Sequence, residues 1–268
     1  MNKAEIFFTK LSWIAFALAL VFIATFFLIQ KKPKNFDGSR VALVDSSGKN
    51  FLFRGSNPFV KKDGKVVFAY DELKNYFSEI LENKGMELPQ DFYLVDVSLL
   101  DMDEYYEIKK EQAFFKKNPK QGHVLSISTP SSALLFSELE HNLFTYNIVE
   151  NYNSWITHNL DILHKILEEK SDKPVVIYVH CNGGRDRSGF ILASYRMLFK
   201  NMDLDDVNLQ NRIEVGRSSE GFYQSAITSY CYYLQEKYGK TSGYCLTKDP
   251  NNMIAISKSY KALVRNKS

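Results

Sequence analysis

Residues 175–179 form an unbroken run of apolar, mostly β-branched side chains, the pattern of a strand buried on both faces. From Phe190 onward the apolar positions Ile191, Leu192, Tyr195, Leu198 and Phe199 recur at three- and four-residue steps, which predicts a helix. Between them lies a polar stretch with two adjacent glycines, Gly183 and Gly184. Upstream, short apolar runs predict strands over 41–44, 51–53, 92–97, 124–127 and 145–149. Helical spacing predicts helices over 70–84, 103–117 and 153–170, and further helices over 204–215 and 222–238. Ser171-Asp172-Lys173-Pro174 ends one helix just before the buried strand. Strands alternating with helices predict an α/β fold with a central, mostly parallel sheet flanked by helices.

Residues 11–29 differ from everything after them. They carry no charge, and only Ser12 and Thr25 bring hydroxyl groups. As a helix they would span about 28 Å, close to the hydrocarbon thickness of a bilayer. The run is long for a signal peptide and has no small-residue cleavage pair before Lys31. Its apolar faces all round disfavour a soluble helix. The expected organisation is a transmembrane anchor over 1–30, a polar linker over 31–40 with Pro33 and Gly38, and one domain over 41–268. Lys31, Lys32, Lys34 and Arg40 follow the span, so the positive-inside rule tilts a single-pass protein toward a cytoplasmic domain. The basic tail 251–268 reads as a surface helix.

Composition narrows the class. The chain has 268 residues, 45% hydrophobic and 24% charged, as expected for a globular protein with a sizeable core. A net charge of +3 gives no ground for a nucleic-acid partner. Three cysteines, Cys181, Cys231 and Cys245, are too few for a disulfide framework. Cys231 and Cys245 could pair in an oxidising compartment; the plainer reading is two buried thiols. The histidines show no zinc-motif spacing, so neither a metal nor a cofactor is expected.

The stretch from His180 to Gly189 carries the chemistry. A buried strand, a glycine loop and a helix start bring backbone N–H groups to one small volume, an anion cradle. Helix N-termini and nearby cations favour the thiolate form of a cysteine. Arg187 offers a planar fork suited to phosphate oxygens. His-Cys-x5-Arg-Ser-Gly, read here as His180, Cys181, Arg187, Ser188 and Gly189, resembles the signature loop of the cysteine-dependent protein tyrosine phosphatase superfamily. The resemblance implies Cys181 as nucleophile, Arg187 as phosphate binder and Ser188 as a hydrogen-bond donor to the sulfur. His180, Asn182, Gly183, Gly184, Arg185 and Gly189 would hold the substrate, His180 by orienting the loop. Farther upstream, the segment from Arg54 to Pro58 resembles the opening of small dual-specificity phosphatase domains.

A two-step transfer also needs a proton donor for the leaving oxygen. In most of the superfamily this is an upstream aspartate; the best-placed upstream acid here is Glu150, expected between a strand and a helix. Gly184-Arg185-Asp186-Arg187 resembles the Gly-Lys-Asp-Arg loop of bacterial atypical phosphatases, in which the loop aspartate has the acid role. Asp186 is therefore favoured over Glu150, with a loop stabiliser ion-paired to Arg185 or Arg187 as its plain alternative. That resemblance implies a phosphotyrosine or phosphoinositide substrate, hydrolysed through a phosphocysteine. The rivals are a dual-specificity protein phosphatase and a phosphatase-fold binding module without turnover.

Overall fold

The computed structural model describes residues 13–18, 35–127, 129, 143–219, 221–240 and 244–245. Seven strands run β1 (Ala42–Ser47), β2 (Asn50–Gly55), β3 (Phe59–Lys62), β4 (Lys65–Phe68), β5 (Tyr93–Ser98), β6 (Gly122–Ser126) and β7 (Val175–His180). After the short hairpin β3–β4 the helices are α1 (Tyr70–Glu82), α2 (Tyr105–Lys117), α3 (Leu143–Glu168), α4 (Asp186–Phe199), α5 (Leu204–Val215) and α6 (Phe222–Tyr238).

Five strands form the main sheet in the order β1-β2-β7-β5-β6. Only β1 is antiparallel to its neighbour; β2, β7, β5 and β6 are mutually parallel. The central strand β7 is buried at every position, as its unbroken apolar run requires. One face packs Ile156, Leu160 and Leu163 of α3 with the apolar side of α4 and with Ile227, Tyr230 and Leu234 of α6. The other packs Phe53, Val176 and Tyr178 against Leu73, Phe77 and Leu81 of α1 and Phe115 of α2. The expected α/β layering is what the chain builds.

Register decides where function sits. Gly55 of β2 and Ser98 of β5 both stand opposite His180 of β7. The three strands therefore end level, and the segments after them, 56–58, 99–104 and 181–185, leave the sheet side by side. In parallel sheets this carboxyl edge is where ligands bind.

Four features depart from the expectations. Residues 145–149 belong to α3 rather than to a strand: β-branched Thr145, Ile148 and Val149 suggested a strand, but the helix runs from Leu143 through the whole segment. The β3–β4 hairpin was not foreseen; it turns at Asp63 and Gly64, with φ of 50° and 75°, the left-handed pair that a tight hairpin needs. Cys231 and Cys245 are joined in a disulfide with Cα atoms 5.7 Å apart, so the buried-thiol reading does not hold. Residues 35–40, expected as linker, lie against the domain: Phe36 N–H donates to Phe59 O at 2.7 Å and Asp37 N–H to Ser56 Oγ at 2.8 Å.

The expected membrane span lies outside the described residues except for 13–18, which are helical with Trp13, Ile14, Phe16 and Leu18 exposed. Among the described residues no helix is long and apolar enough to cross a membrane. The basic tail 251–268 also lies outside them.

Candidate active site

The loop from Cys181 to Arg185 bends sharply, and one glycine makes the bend possible. Gly184 has φ of +67°, and a Cβ there would lie 2.7 Å from the backbone of Gly55 and Ser56. The loop thus rests backbone to backbone on the end of β2, an approach open only to glycine. Gly183 is different, because a Cβ there would meet only Arg40 Nη1, at 3.8 Å.

Two arginines hold this geometry. Arg54 of β2 is fully buried and donates from Nη2 to Gly184 O at 3.1 Å and Arg185 O at 3.4 Å. Its Nη1 donates to Asn211 Oδ1 at 2.6 Å and Glu214 Oε2 at 2.7 Å. Glu214 also pairs with Arg196, so one acid on α5 ties β2 to α4. Burial alone would raise Glu214, but Arg196 and Arg54 outweigh it and hold its carboxyl low. Arg40 donates to Gly183 O from the other side.

At the loop's start, Cys181 is buried, with Sγ 3.6 Å from Ser188 Oγ. At its end, Arg187 enters α4 and its donors are divided. Nη1 donates to Leu99 O at 2.9 Å and Glu104 Oε2 at 2.6 Å, and Nη2 donates to Glu104 Oε1 at 2.7 Å. A guanidinium has five N–H donors. Among the described residues the Nε–H and the second Nη2–H meet no acceptor, and they form the side-on edge of the fork. A phosphate can take that edge without breaking the ion pair. The N–H groups of the first turn of α4, free of intrahelical partners, supply the rest of the cradle.

Glu104 was not singled out in the sequence. It ends a short 3-10 turn, Met102–Glu104, after β5 and is fully buried. Besides Arg187 it accepts from Asn182 Nδ2 at 2.7 Å and from the Asp101 N–H at 3.0 Å. Burial pushes its carboxyl up, but the Arg187 bonds, the Asp101 N–H and Asn182 together hold it below the usual carboxylate range. Only the acidic run Asp101-Met102-Asp103-Glu104 hinted at a role, and it resembles an ordinary helix start.

The two acid candidates part company. Asp186 is gripped by Arg217, with Nη1 to Oδ1 at 2.9 Å and Nη2 to Oδ2 at 3.0 Å. The expected ion-pair alternative thus exists, with Arg217 rather than Arg185 or Arg187 as partner. Glu150 lies within α3, half-buried, and no described contact joins it to the loop. Gly189 packs against Ser219, and its carbonyl accepts from Asn211 Nδ2 at 3.4 Å. Tyr223, at the start of α6, is held protonated by burial first; Arg187 pulls its phenol the other way, and Asp101 and Asp186 add to the upward push.

His180 does not face the cradle. It is fully buried beneath it, with Nε2 3.1 Å from Asp96 Oδ1 and 3.4 Å from Glu111 Oε1. Burial would lower its imidazole, but Asp96 and Glu111 outweigh it and raise it. Burial also pushes Glu111 up, to about 8.

Residues 122–216 match the family model PTP-SAK, described as the DSP-PTPase phosphatase domain of a Swiss Army Knife protein. The fold is similar to solved structures at low sequence identity. One is Tk-PTP in its active form, at 16% identity and a TM-score of 0.35, covering 75% of this chain and 98% of that one. Another is a kinase-associated phosphatase whose catalytic cysteine is replaced by serine, at 11% identity and 0.42, covering 78% and 99%. A third is the core catalytic domain of the PP-IP phosphatase Siw14 from S. cerevisiae, at 14% and 0.36, covering 78% and 95%. No curated protein matches by sequence.

Proposed function

We propose that this chain, whose residues 122–216 match the phosphatase family model, is a member of the cysteine-dependent protein tyrosine phosphatase superfamily and hydrolyses phosphotyrosine or phosphoinositide monoesters. It is a cysteine-dependent phosphatase, a phosphoric monoester hydrolase. The substrate is the new step. Its main support is Arg185: among the described residues its guanidinium has no ion-pair or hydrogen-bond partner, although it borders a cradle already holding Arg187. A spare cation beside the phosphate site favours a ligand with a second anionic group, such as an inositol head group or an acidic phosphopeptide.

In this reading Cys181 attacks phosphorus and the leaving oxygen takes a proton. Phosphate passes to sulfur, and water then releases it while Ser188 donates to the departing thiolate. For the proton, Asp186 and Glu150 remain the proposed donors. The Arg217 grip weighs against Asp186, because a proton donor there must first loosen a bidentate pair suited to a carboxylate. Residues 11–29 are proposed as a membrane anchor that brings lipid substrates within reach. A dual-specificity protein phosphatase is the nearest alternative, and a binding module would require that the intact Cys181–Arg187 pair perform no turnover.

The test is a panel of phosphotyrosine peptides and individual phosphoinositides offered to the full chain. Cys181→Ser should abolish turnover yet keep ligand binding; residual activity above roughly a few per cent excludes the phosphocysteine. Arg185→Ala should weaken the multiply charged substrates more than a simple aryl phosphate. Equal losses on both would refute the substrate assignment while leaving the phosphatase assignment standing.

A further inference from the structure

Behind the catalytic loop, three side chains from three elements converge on one point. Asp96 comes from β5, Glu111 from α2 and His180 from the end of β7. All three are fully buried, and one ligand atom from each lies within 4.8 Å of the others. We infer that this cluster is a structural binding site for a divalent transition-metal ion of the zinc class.

The polar atoms are the first argument. Asp96 and Ser98 lie at hydrogen-bonding distance from His180 and Glu111 respectively. Yet neither ring nitrogen of His180, nor any carboxylate oxygen of Asp96 or Glu111, nor the Ser98 hydroxyl makes a directed hydrogen bond. A hydrogen bond weakens steeply off axis, so these short separations satisfy the groups poorly. A native interior rarely leaves so many polar atoms in one place without partners.

Distance is the second. Zinc binds imidazole nitrogen and carboxylate oxygen at roughly 2.0–2.2 Å, which sets the ligand atoms of a tetrahedral centre about 3.3 Å apart. The observed separations from His180 Nε2 are 3.1 and 3.4 Å.

Charge is the third. Two carboxyl groups and an imidazole share a site closed to solvent; a bound divalent ion would hold both acids ionised against a neutral imidazole and cancel their charge. The donor set of one imidazole and two carboxylates suits zinc, manganese or ferrous iron. Magnesium would keep several waters, for which a closed site has no place. Glu107, one turn before Glu111, is buried too, but it is not among the converging groups and serves as a control. The ion would have no part in the transfer: it would fix His180, and through it Cys181, from behind.

Metal content of the full chain, expressed with added zinc and purified without chelator, tests this. One zinc per chain is expected. Asp96→Asn and Glu111→Gln should each lose it, whereas Glu107→Gln and Cys181→Ser should keep it. The Cys181→Ser arm separates this site from adventitious capture by the nucleophile. Chain grown in cobalt should show a visible ligand-field band that Glu111→Gln abolishes. Stripping the metal from wild type should lower its melting temperature, restored by zinc and not by magnesium. A folded wild-type chain without stoichiometric metal overturns the inference, so the result does not depend on whether the variants fold. Zinc retained in Glu111→Gln, or lost in Cys181→Ser, overturns it as well.

Discussion

Replacing Glu104 by glutamine removes one charge and keeps the shape. The carboxylate accepts two bonds from Arg187, one from Asn182 and one from the Asp101 N–H. A glutamine keeps one acceptor oxygen and turns an NH2 group toward N–H donors. Arg187, itself largely buried, is left without its counter-ion. Removing one partner of a buried pair costs about 3–5 kcal/mol. For a domain of this size each kcal/mol moves the melting temperature by about 2–4 °C, so a fall of about 6–20 °C is expected. Activity should suffer beyond folding, because the fork loses the tether that aims its free edge. A displacement near 1 Å is worth about a hundredfold in rate. Thermal melts and steady-state kinetics below the variant's melting temperature separate the two effects. A variant melting within about 2 °C of the parent, with kcat/KM within about threefold, would refute the reasoning. In that case Arg187 would be positioned by Leu99 O and the loop alone.

Three more outcomes are expected. Glu104 sits below its ordinary value in the folded chain, so its stabilisation is complete above the unfolded carboxylate value of about 4.3 and drains away as pH falls through the lowered folded value; melts across acid pH should show a slope that Glu104→Gln flattens. Gly184→Ala should abolish turnover while Gly183→Ala stays active, since only the first drives a Cβ into Gly55; equal losses in an activity assay would contradict this. Peptide mapping without reductant should recover Cys231 joined to Cys245, and reduction should cost about 3 kcal/mol in denaturant melts for a loop of this length. Disulfides persist in oxidising compartments, so a recovered bridge would also set the domain on the side opposite to the one that the flanking lysines favour.

The nucleophile loop was legible because its strand, glycines and helix are contiguous, so local rules apply to the whole unit. Its supports were not. Glu104 and Arg187 are 83 residues apart, and Arg54 and Gly184 are 130 apart. No local pattern marks such pairs, and a buried arginine reads in sequence like any surface cation. Helices α5 and α6 coincide with the ranges that helical spacing predicts; in the structure Asp203 accepts from the Asp206 N–H, and Gly216 and Gly239 close the two helices in left-handed conformations. The start of α3 was misread because β-branched residues at 145, 148 and 149 outweighed the helical spacing that begins beyond them. The β3–β4 hairpin escaped because its strands are four residues long and rich in lysine, although Asp63-Gly64 carries a turn signature. His180 was assigned to the loop; its partners Asp96 and Glu111 became visible only when β5 and α2 were set beside β7.

The long spans across which the loop is held have a kinetic consequence. A loop whose geometry depends on partners 83, 130 and, through Arg54 and Asn211, 157 residues apart acquires its shape only after the sheet has closed. Contacts so distant along the chain form slowly, since the intervening segments must give up their freedom first. During synthesis Arg54 and Glu104 emerge early and wait; Asn211 and Glu214 arrive after the cysteine itself. A nascent chain halted just past α4 would therefore expose a reactive thiol in an unformed cradle. Competence should appear abruptly, in one late step, once α5 has left the ribosome and docked.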